Sequence, residues 1–129
     1  MSIFKRKVVN VDLVQSESEG LSDSEYNYDL VGESFARDNL VQLVRGKENA
    51  GEIYGSATLK LEPTNQFDSN AVEAVIEGKH VGYIPKHDSE AVTKMIKKSG
   101  KTSLEVPARI GWDTDNPMPL IGVSITLNL

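Results

Sequence analysis

Residues 64–85, "TNQFDSNAVEAVIEGKHVGYIP", decide the fold of this chain. The second half of the stretch reads as two short strands joined by a tight turn at Gly78 and Lys79. The first half, "TNQFDSNAV", is a polar loop with Phe67 and Asp68 side by side at its centre. A hairpin that only returned the chain from the preceding strand, "IYGSATLKLEP" (residues 53–63), would need far fewer residues. We therefore expect the loop to have a role beyond reversing the chain.

Two helices are predicted on either side of this region. In "FARDNLVQLVRG" (residues 35–46) the apolar residues fall near one helical face and Gly46 ends the pattern; these residues are Phe35, Leu40, Val41 and Val44. In "DSEAVTKMIKKSG" (residues 88–100) Asp88 is the expected N-cap and Gly100 the C-terminal stop. The predicted buried stripe of this second helix consists of Ala91, Val92, Met95 and Ile96.

Two further segments alternate as strands do. "SLEVPARI" (residues 103–110) and "IGVSITLNL" (residues 121–129) each place apolar side chains on one face. "YNYDLVGES" (residues 26–34) is the first cluster of residues that favour strands. The pattern predicts a mainly β fold with two short helices and about six strands, mostly antiparallel, in a small, partly open barrel or strongly curled sheet.

Length and composition limit the class of protein. At 129 residues the chain has the size of one domain, and its lack of cysteine excludes disulfides and thiolate zinc sites. The opening residues hold no apolar run of the kind found in signal peptides or membrane-spanning helices. We expect a cytoplasmic protein.

The net charge of -5 is unevenly distributed. Residues 12–33 contain seven acidic residues and no Lys or Arg. Such a stretch, rich in serine as well, cannot bury enough apolar surface to offset its ordering entropy. The sequence therefore predicts a flexible acidic N-terminal arm over residues 1–25 and one domain over residues 26–129.

No catalytic constellation is evident, so we expect no enzymatic activity, no cofactor and no metal. His80 and His87 are the only histidines, lack triad-like spacing and are expected at the surface. Asp113 and Asp115 suggest a turn more than a cation site.

Two other features leave alternatives open. The lysines at positions 94, 97, 98 and 101 are either a phosphate-binding stripe or an ordinary solvated helix face. Trp112 is either a stacking platform or, as we favour, a cap on the core.

The polar loop has two interpretations. Asn65, Asp68, Ser69 and Asn70 can all bond to nearby backbone, so the loop can be stabilised by its own side chains with Phe67 tucked inward. The same residues can instead form a ligand site.

Several segments together resemble the HIRAN domain family: "VGESF" (31–35), "LEPTNQFDSNAVEAVIEGKHVGYIPKHDSEAV" (61–92), "VPARIGW" (106–112) and "GVSITLNL" (122–129). The resemblance implies an OB-like small β-barrel with two helices. It also implies a non-enzymatic domain that grips the 3′ end of single-stranded DNA, as in fork-remodelling helicases.

The resemblance assigns roles to individual residues. Phe35 and Phe67 become base contacts, Asp68 the acceptor for the 3′-hydroxyl, and Lys86 a phosphate contact. Asn65 holds the loop or touches DNA, and Tyr83 lines the same groove. The chain departs from the family pattern at Glu33 and Ser34, where DNA-gripping members carry a basic residue, at Phe67, which replaces a tyrosine, and at Tyr83, where a histidine can occur.

A second hypothesis from a different class stays open. The domain can instead be a protein-interaction module that recruits a DNA repair or replication enzyme, with the acidic arm as the contact.

Overall fold

A computed structural model describes residues 25–114 and 121–129. In this part of the chain the strands are β1 (Tyr28–Asp29), β2 (Glu52–Leu61), β3 (Val72–Ile76), β4 (Lys79–Tyr83), β5 (Ser103–Trp112) and β6 (Ile121–Ile125). The helices are a 3-10 helix (Glu33–Ala36), α1 (Arg37–Val44) and α2 (Lys86–Lys98). Residues 1–24 of the predicted arm lie outside the described residues, and so does Asp115.

All six strands form one antiparallel sheet in the order β1-β6-β5-β2-β3-β4. The centre is the long pair β2 and β5, which matches nine residue pairs from Glu52 opposite Gly111 to Lys60 opposite Ser103. The prediction of a mainly β, OB-like fold with two helices is therefore confirmed.

The two outer strands of the sheet approach each other at one point. Just beyond β1, the Val31 N–H donates to the Tyr83 carbonyl at 2.9 Å, and the Tyr83 N–H donates to the Val31 carbonyl at 2.8 Å. Gly82 permits this approach, because a Cβ at that position would lie only 2.8 Å from the Val31 carbonyl oxygen. The curled sheet thus closes through this bridge, which we call the seam.

The tight turn between β3 and β4 is confirmed, one residue earlier than predicted. Glu77 and Gly78 occupy its centre with φ angles of 51° and 77°. Two successive positive φ angles are typical of a type I′ turn, whose twist matches that of the flanking strands.

The core lies inside the curl of the sheet and is capped by both helices. From the strands it includes Ala57, Leu59 and Val81, which are fully buried, and the alternating set Val106, Ala108 and Ile110. From β6 and the residues after it come Val123, Ile125 and Leu127, whereas Leu129 is exposed.

The buried faces of the helices differ from the predicted ones. In α1 the core residues are Leu40, Leu43 and Val44, while Val41 is 40% exposed. Phe35 is 93% exposed because it belongs to the 3-10 helix before α1 and does not share the face of α1.

The buried face of α2 is also shifted. It consists of Ser89, Val92, Thr93 and Ile96, and Ala91 is exposed. Helix α2 begins at Lys86, two residues before the predicted start, so Asp88 lies in the first turn and is not the N-cap. Its carboxylate instead accepts a hydrogen bond from the Tyr28 hydroxyl.

Among the described residues, no helix combines the length and the apolar character needed to cross a membrane. A cytoplasmic location stays a prediction.

Candidate functional site

A groove of about 400 Å³ lies at the seam. Three segments meet there: Val31 shortly after β1, the polar loop between β2 and β3, and the junction of β4 with α2. The lining residues are Val31, Asn65, Phe67, Asp68, Ala71, Tyr83, Ile84 and Lys86. Five of the six predicted site residues therefore lie together in this seam groove, and the sixth, Phe35, does not line it.

Phe67 points outward with 83% of its surface exposed, so the expectation that it is tucked inward as an anchor is wrong. Asn65 holds the backbone beneath it: its Oδ1 accepts from the N–H of Phe67 at 2.8 Å and from the N–H of Asp68 at 3.0 Å. This arrangement is the local side-chain bonding that makes Asn favourable in turns. The ring is thus presented to solvent by a fixed backbone.

Glu62 connects the loop to the β4 wall of the groove. Its Oε1 accepts from the Asn65 amide at 2.7 Å and from the Tyr83 hydroxyl at 3.0 Å. Partial burial and the neighbouring Glu62 carboxylate raise the pKa of Tyr83 above its usual value, because both disfavour the phenolate. Tyr83 is therefore a neutral hydrogen-bond donor in a defined position.

Asp68 is braced on the protein side by both of its oxygens. Oδ1 accepts from the Asn70 N–H at 2.9 Å, and Oδ2 accepts from the Ser89 hydroxyl at 2.9 Å. The bond from the Asn70 N–H is the largest cause that lowers the pKa of Asp68 below its ordinary value, followed by the bond from Ser89 and then by the positive charge of Lys86. A carboxylate offers about four acceptor positions, so Asp68 keeps capacity to accept from a ligand in the groove.

Ser89 is buried, at 3% exposure, in the first turn of α2. Its hydroxyl oxygen lies 2.9 Å from both Asp68 Oδ2 and the Lys86 carbonyl, and its single proton serves one of them at a time. One turn later the Thr93 hydroxyl donates to the Asn70 carbonyl at 2.9 Å. The loop is thus fastened along the first turns of α2.

Sequence reasoning missed Glu62 and Ser89. Both stand in the segments quoted for the resemblance, Glu62 two residues before the loop and Ser89 directly after Asp88. The contact of Glu62 could have been predicted from its spacing, because residues three apart, such as Glu62 and Asn65, meet across a tight turn. For Ser89 no local signal existed.

Phe35 and Glu33 belong to the 3-10 helix that follows Val31 and do not line the seam groove. Phe35 follows Gly32 by one 3-10 turn, and its N–H donates to the Gly32 carbonyl at 3.1 Å. Glu33 Oε2 accepts from the Val123 N–H at 3.3 Å and lines a separate cavity of about 310 Å³ with Arg37. The acidic residue that departs from the family pattern is therefore bonded to β6 and is not among the groove-lining residues.

The remaining candidates lie elsewhere. His80 pairs with Glu73 at 2.9 Å and is half-buried, whereas His87 is exposed. Trp112 packs against the core and donates to the Glu48 carbonyl at 2.9 Å, so the prediction of a core cap is confirmed. No group of three or more metal-ligating side chains was found among the described residues.

A family model described as the HIRAN domain matches residues 25–113 of the chain. The matched region includes every residue that lines the seam groove. No curated protein and no solved structure shows significant similarity to the chain.

Proposed function

The chain belongs to the HIRAN domain family, and we propose that it is a non-enzymatic module that recognises the 3′ end of single-stranded DNA in the seam groove. HIRAN domains are known as DNA-binding domains. The observation that carries the proposal is the adjacency of an outward-facing aromatic, Phe67, and an ionised, braced carboxylate, Asp68, in one groove with Lys86.

Each of these groups has a chemical task at a strand end. Phe67 offers a stacking face to a base, which contributes about 1–3 kcal/mol with little sequence preference. Asp68 accepts a hydrogen bond from a 3′-hydroxyl but repels a 3′-phosphate or a continuing strand. Lys86, exposed at the start of α2, binds the phosphate next to the terminal nucleotide.

The other predicted residues support this arrangement. Asn65 fixes the loop, and Tyr83, held by Glu62, forms the wall opposite the loop. Phe35, almost fully exposed on the 3-10 helix that follows Val31, supplies a second stacking face for the next base. In this proposal every group acts by contact, so no catalytic step is needed.

The test compares strands that differ only at the 3′ end. Short oligothymidylates with a free 3′-hydroxyl or a 3′-phosphate are titrated by fluorescence anisotropy against the wild type, Phe67→Ala and Asp68→Asn. Phe67→Ala should weaken both ligands by about 1–3 kcal/mol. Asp68→Asn should abolish the preference for the free hydroxyl while retaining general affinity.

A matched control removes an exposed acid elsewhere. Asp38→Asn changes the net charge by the same amount on α1 and should leave the 3′-end preference intact. Thermal unfolding of each variant separates loss of binding from loss of fold. A wild-type protein that cannot distinguish the two ends would refute the proposal and would favour the protein-interaction hypothesis.

The non-enzymatic character has its own measurement. We expect no hydrolysis of DNA, nucleotides or phosphoesters by the purified protein, with or without Mg²⁺ or Mn²⁺. Turnover that survives purification and disappears in Asp113→Asn would contradict this expectation.

A further inference from the structure

Charge is strongly polarised over the described residues. Residues 86–101, which comprise α2 and the turn after it, contain five lysines and two acids, a net charge of +3. The other described residues contain six basic and twelve acidic residues, a net charge of -6. A polyanion is therefore attracted to one side of this acidic domain and repelled by the rest.

The lysines of α2 continue the seam groove. Lys86 lines the groove, and Lys97 follows it by eleven residues, which is about 20° around the helix and about 16 Å along its axis. Lys94 and Lys98 are exposed next to Lys97. The positive stripe thus begins at the groove and runs along the outer surface of the helix.

The loop contacts fix which side of α2 the stripe follows. The loop reaches α2 through the bonds from Ser89 to Asp68 and from Thr93 to Asn70. Lys97 follows Thr93 by four residues, so it lies one turn further along the same side. A strand that leaves the groove along α2 therefore passes Lys97 next.

Glu90 is the one acid within the stripe. Its carboxylate pairs with Lys94 at 3.1 Å, with side chains that are 67% and 75% exposed. An ion pair so exposed contributes little and is readily exchanged. Lys94 is consequently available to a phosphate once a strand is present.

We propose that α2 is a phosphate track for the sugar–phosphate backbone of the strand whose 3′ end occupies the seam groove. The track binds the nucleotides on the 5′ side of the terminal ones through Lys94, Lys97 and Lys98. Its length of about 16 Å corresponds to at most about five nucleotides, given a rise of about 3.4 Å for each stacked nucleotide. This inference rests on the proposed function and adds a second, sequence-independent contact surface to it.

The experiment compares the binding of short and long strands to protein variants that lack lysine charges at different sites. Oligothymidylates of three and ten nucleotides, each with a free 3′-hydroxyl, are titrated by NMR and by fluorescence anisotropy over a range of salt concentrations. The test variant replaces Lys94, Lys97 and Lys98 with Gln. The control variant makes the same change at Lys47, Lys60 and Lys79, the described lysines that lie outside residues 86–101.

The wild type should bind the ten-nucleotide strand more tightly than the three-nucleotide one. The test variant should lose at least about tenfold of the affinity for the longer strand at low salt, and its salt slope should fall by about 2, since each lysine–phosphate contact contributes about 0.7. Its affinity for the short strand should stay unchanged, and the control variant should behave as the wild type.

A second variant is expected to strengthen binding of the longer strand, the opposite of the effect of the test variant. Glu90→Gln removes the acid from the stripe and releases Lys94, so it should strengthen binding of the longer strand only. Affinity that does not increase with length, or equal losses in the test and control variants, would overturn the phosphate track. Failure of the three-nucleotide strand to bind in a Phe67-dependent manner would instead refute the proposed function, so the two failures are distinguishable.

Discussion

Gly82→Ala is expected to open the seam, because the added methyl group has no space there. The new Cβ would lie 2.8 Å from the Val31 carbonyl oxygen and 3.4 Å from the Leu30 Cβ. The first neighbour is backbone and cannot move aside as the end of a flexible side chain does. That same oxygen accepts the Tyr83 N–H, so relief of the clash separates the two strands at the bridge that closes the sheet.

The magnitude follows from two contributions. Overpacking in a well-packed region costs about 1–3 kcal/mol, and each of the two bridge hydrogen bonds contributes about 0.5–1.5 kcal/mol. Since breaking the bridge relieves part of the overpacking, we expect a loss of about 2–4 kcal/mol in the free energy of unfolding. The domain should stay folded, because small domains are stable by about 5–15 kcal/mol.

Urea unfolding measured by circular dichroism gives this quantity directly. Gly122→Ala is the matched control, since Gly122 lies in β6 of the same sheet and a Cβ there would meet nothing within 4 Å. The control should unfold within about 0.5 kcal/mol of the wild type. A Gly82→Ala protein that is equally unaffected would show that the seam adjusts without cost and would refute the reasoning.

Two further predictions concern the contacts of Glu62 and Asp68 at the polar loop, and a third concerns the N-terminal arm. Glu62→Gln removes the carboxylate that accepts from Asn65 and Tyr83, so the free energy of unfolding should fall by about 1–2 kcal/mol; the pKa of Tyr83, followed by ultraviolet titration, should move back toward its usual value. The pKa of Asp68 is lower in the folded state than its ordinary value. The stability that its ionised form contributes is therefore fully present at pH values above the unfolded pKa, and it is lost as the pH falls through the folded pKa. The ratio of the affinities of the wild type and Asp68→Asn for a strand with a free 3′-hydroxyl should therefore stay constant from pH 7 to pH 5, and a loss within that range in anisotropy titrations would contradict this role. Residues 12–24 of the predicted arm contain four acids and no Lys or Arg, and such a polyanionic segment can compete with DNA for a basic surface. Deleting them should strengthen DNA binding most at low salt, and unchanged or weaker affinity would count against this competition.

Strands that bury one face, such as β3 and β5, could be predicted from their alternating pattern. In β5 the alternation of Val106, Ala108 and Ile110 with more exposed residues has the period of two that a half-buried strand requires. The turn at Gly78 was likewise predictable, because few residues tolerate the positive φ that a type I′ turn imposes. These signals are local, and the structure bears them out.

The helix faces were less predictable, because apolar residues do not themselves specify which side meets the sheet. Helix α1 buries Leu43 and exposes Val41, although both are apolar and only two residues apart. Helix α2 buries the polar residues Ser89 and Thr93, whose hydroxyls are bonded to the loop. Hydrogen bonding to a distant segment thus decides burial at positions where hydrophobicity alone predicts the wrong residue.

In the candidate site, too, some residues could be predicted from the sequence and others depend on contacts between distant segments. Five of its eight lining residues were predicted from the resemblance to a family, since each of them stands in a recognisable segment. The residues that brace them were missed, because the bonds from Tyr83 to Glu62 and from Ser89 to Asp68 each span 21 residues. Contacts at that separation depend on the fold, and no spacing rule for a single helix or hairpin reveals them.

The polar loop is braced by its own side chains although its aromatic ring stays outside the core. Asn65 already binds the backbone N–H groups of Phe67 and Asp68, so the loop keeps its shape without an inward aromatic anchor. Burying a phenylalanine side chain would contribute about 1.5–3 kcal/mol, yet Phe67 stays 83% exposed next to a carboxylate with free acceptor capacity. A loop selected only for stability would gain by turning this ring inward. The polar bracing therefore favours a ligand-binding loop, in which the free energy of covering Phe67 is left for the molecule that occupies the groove.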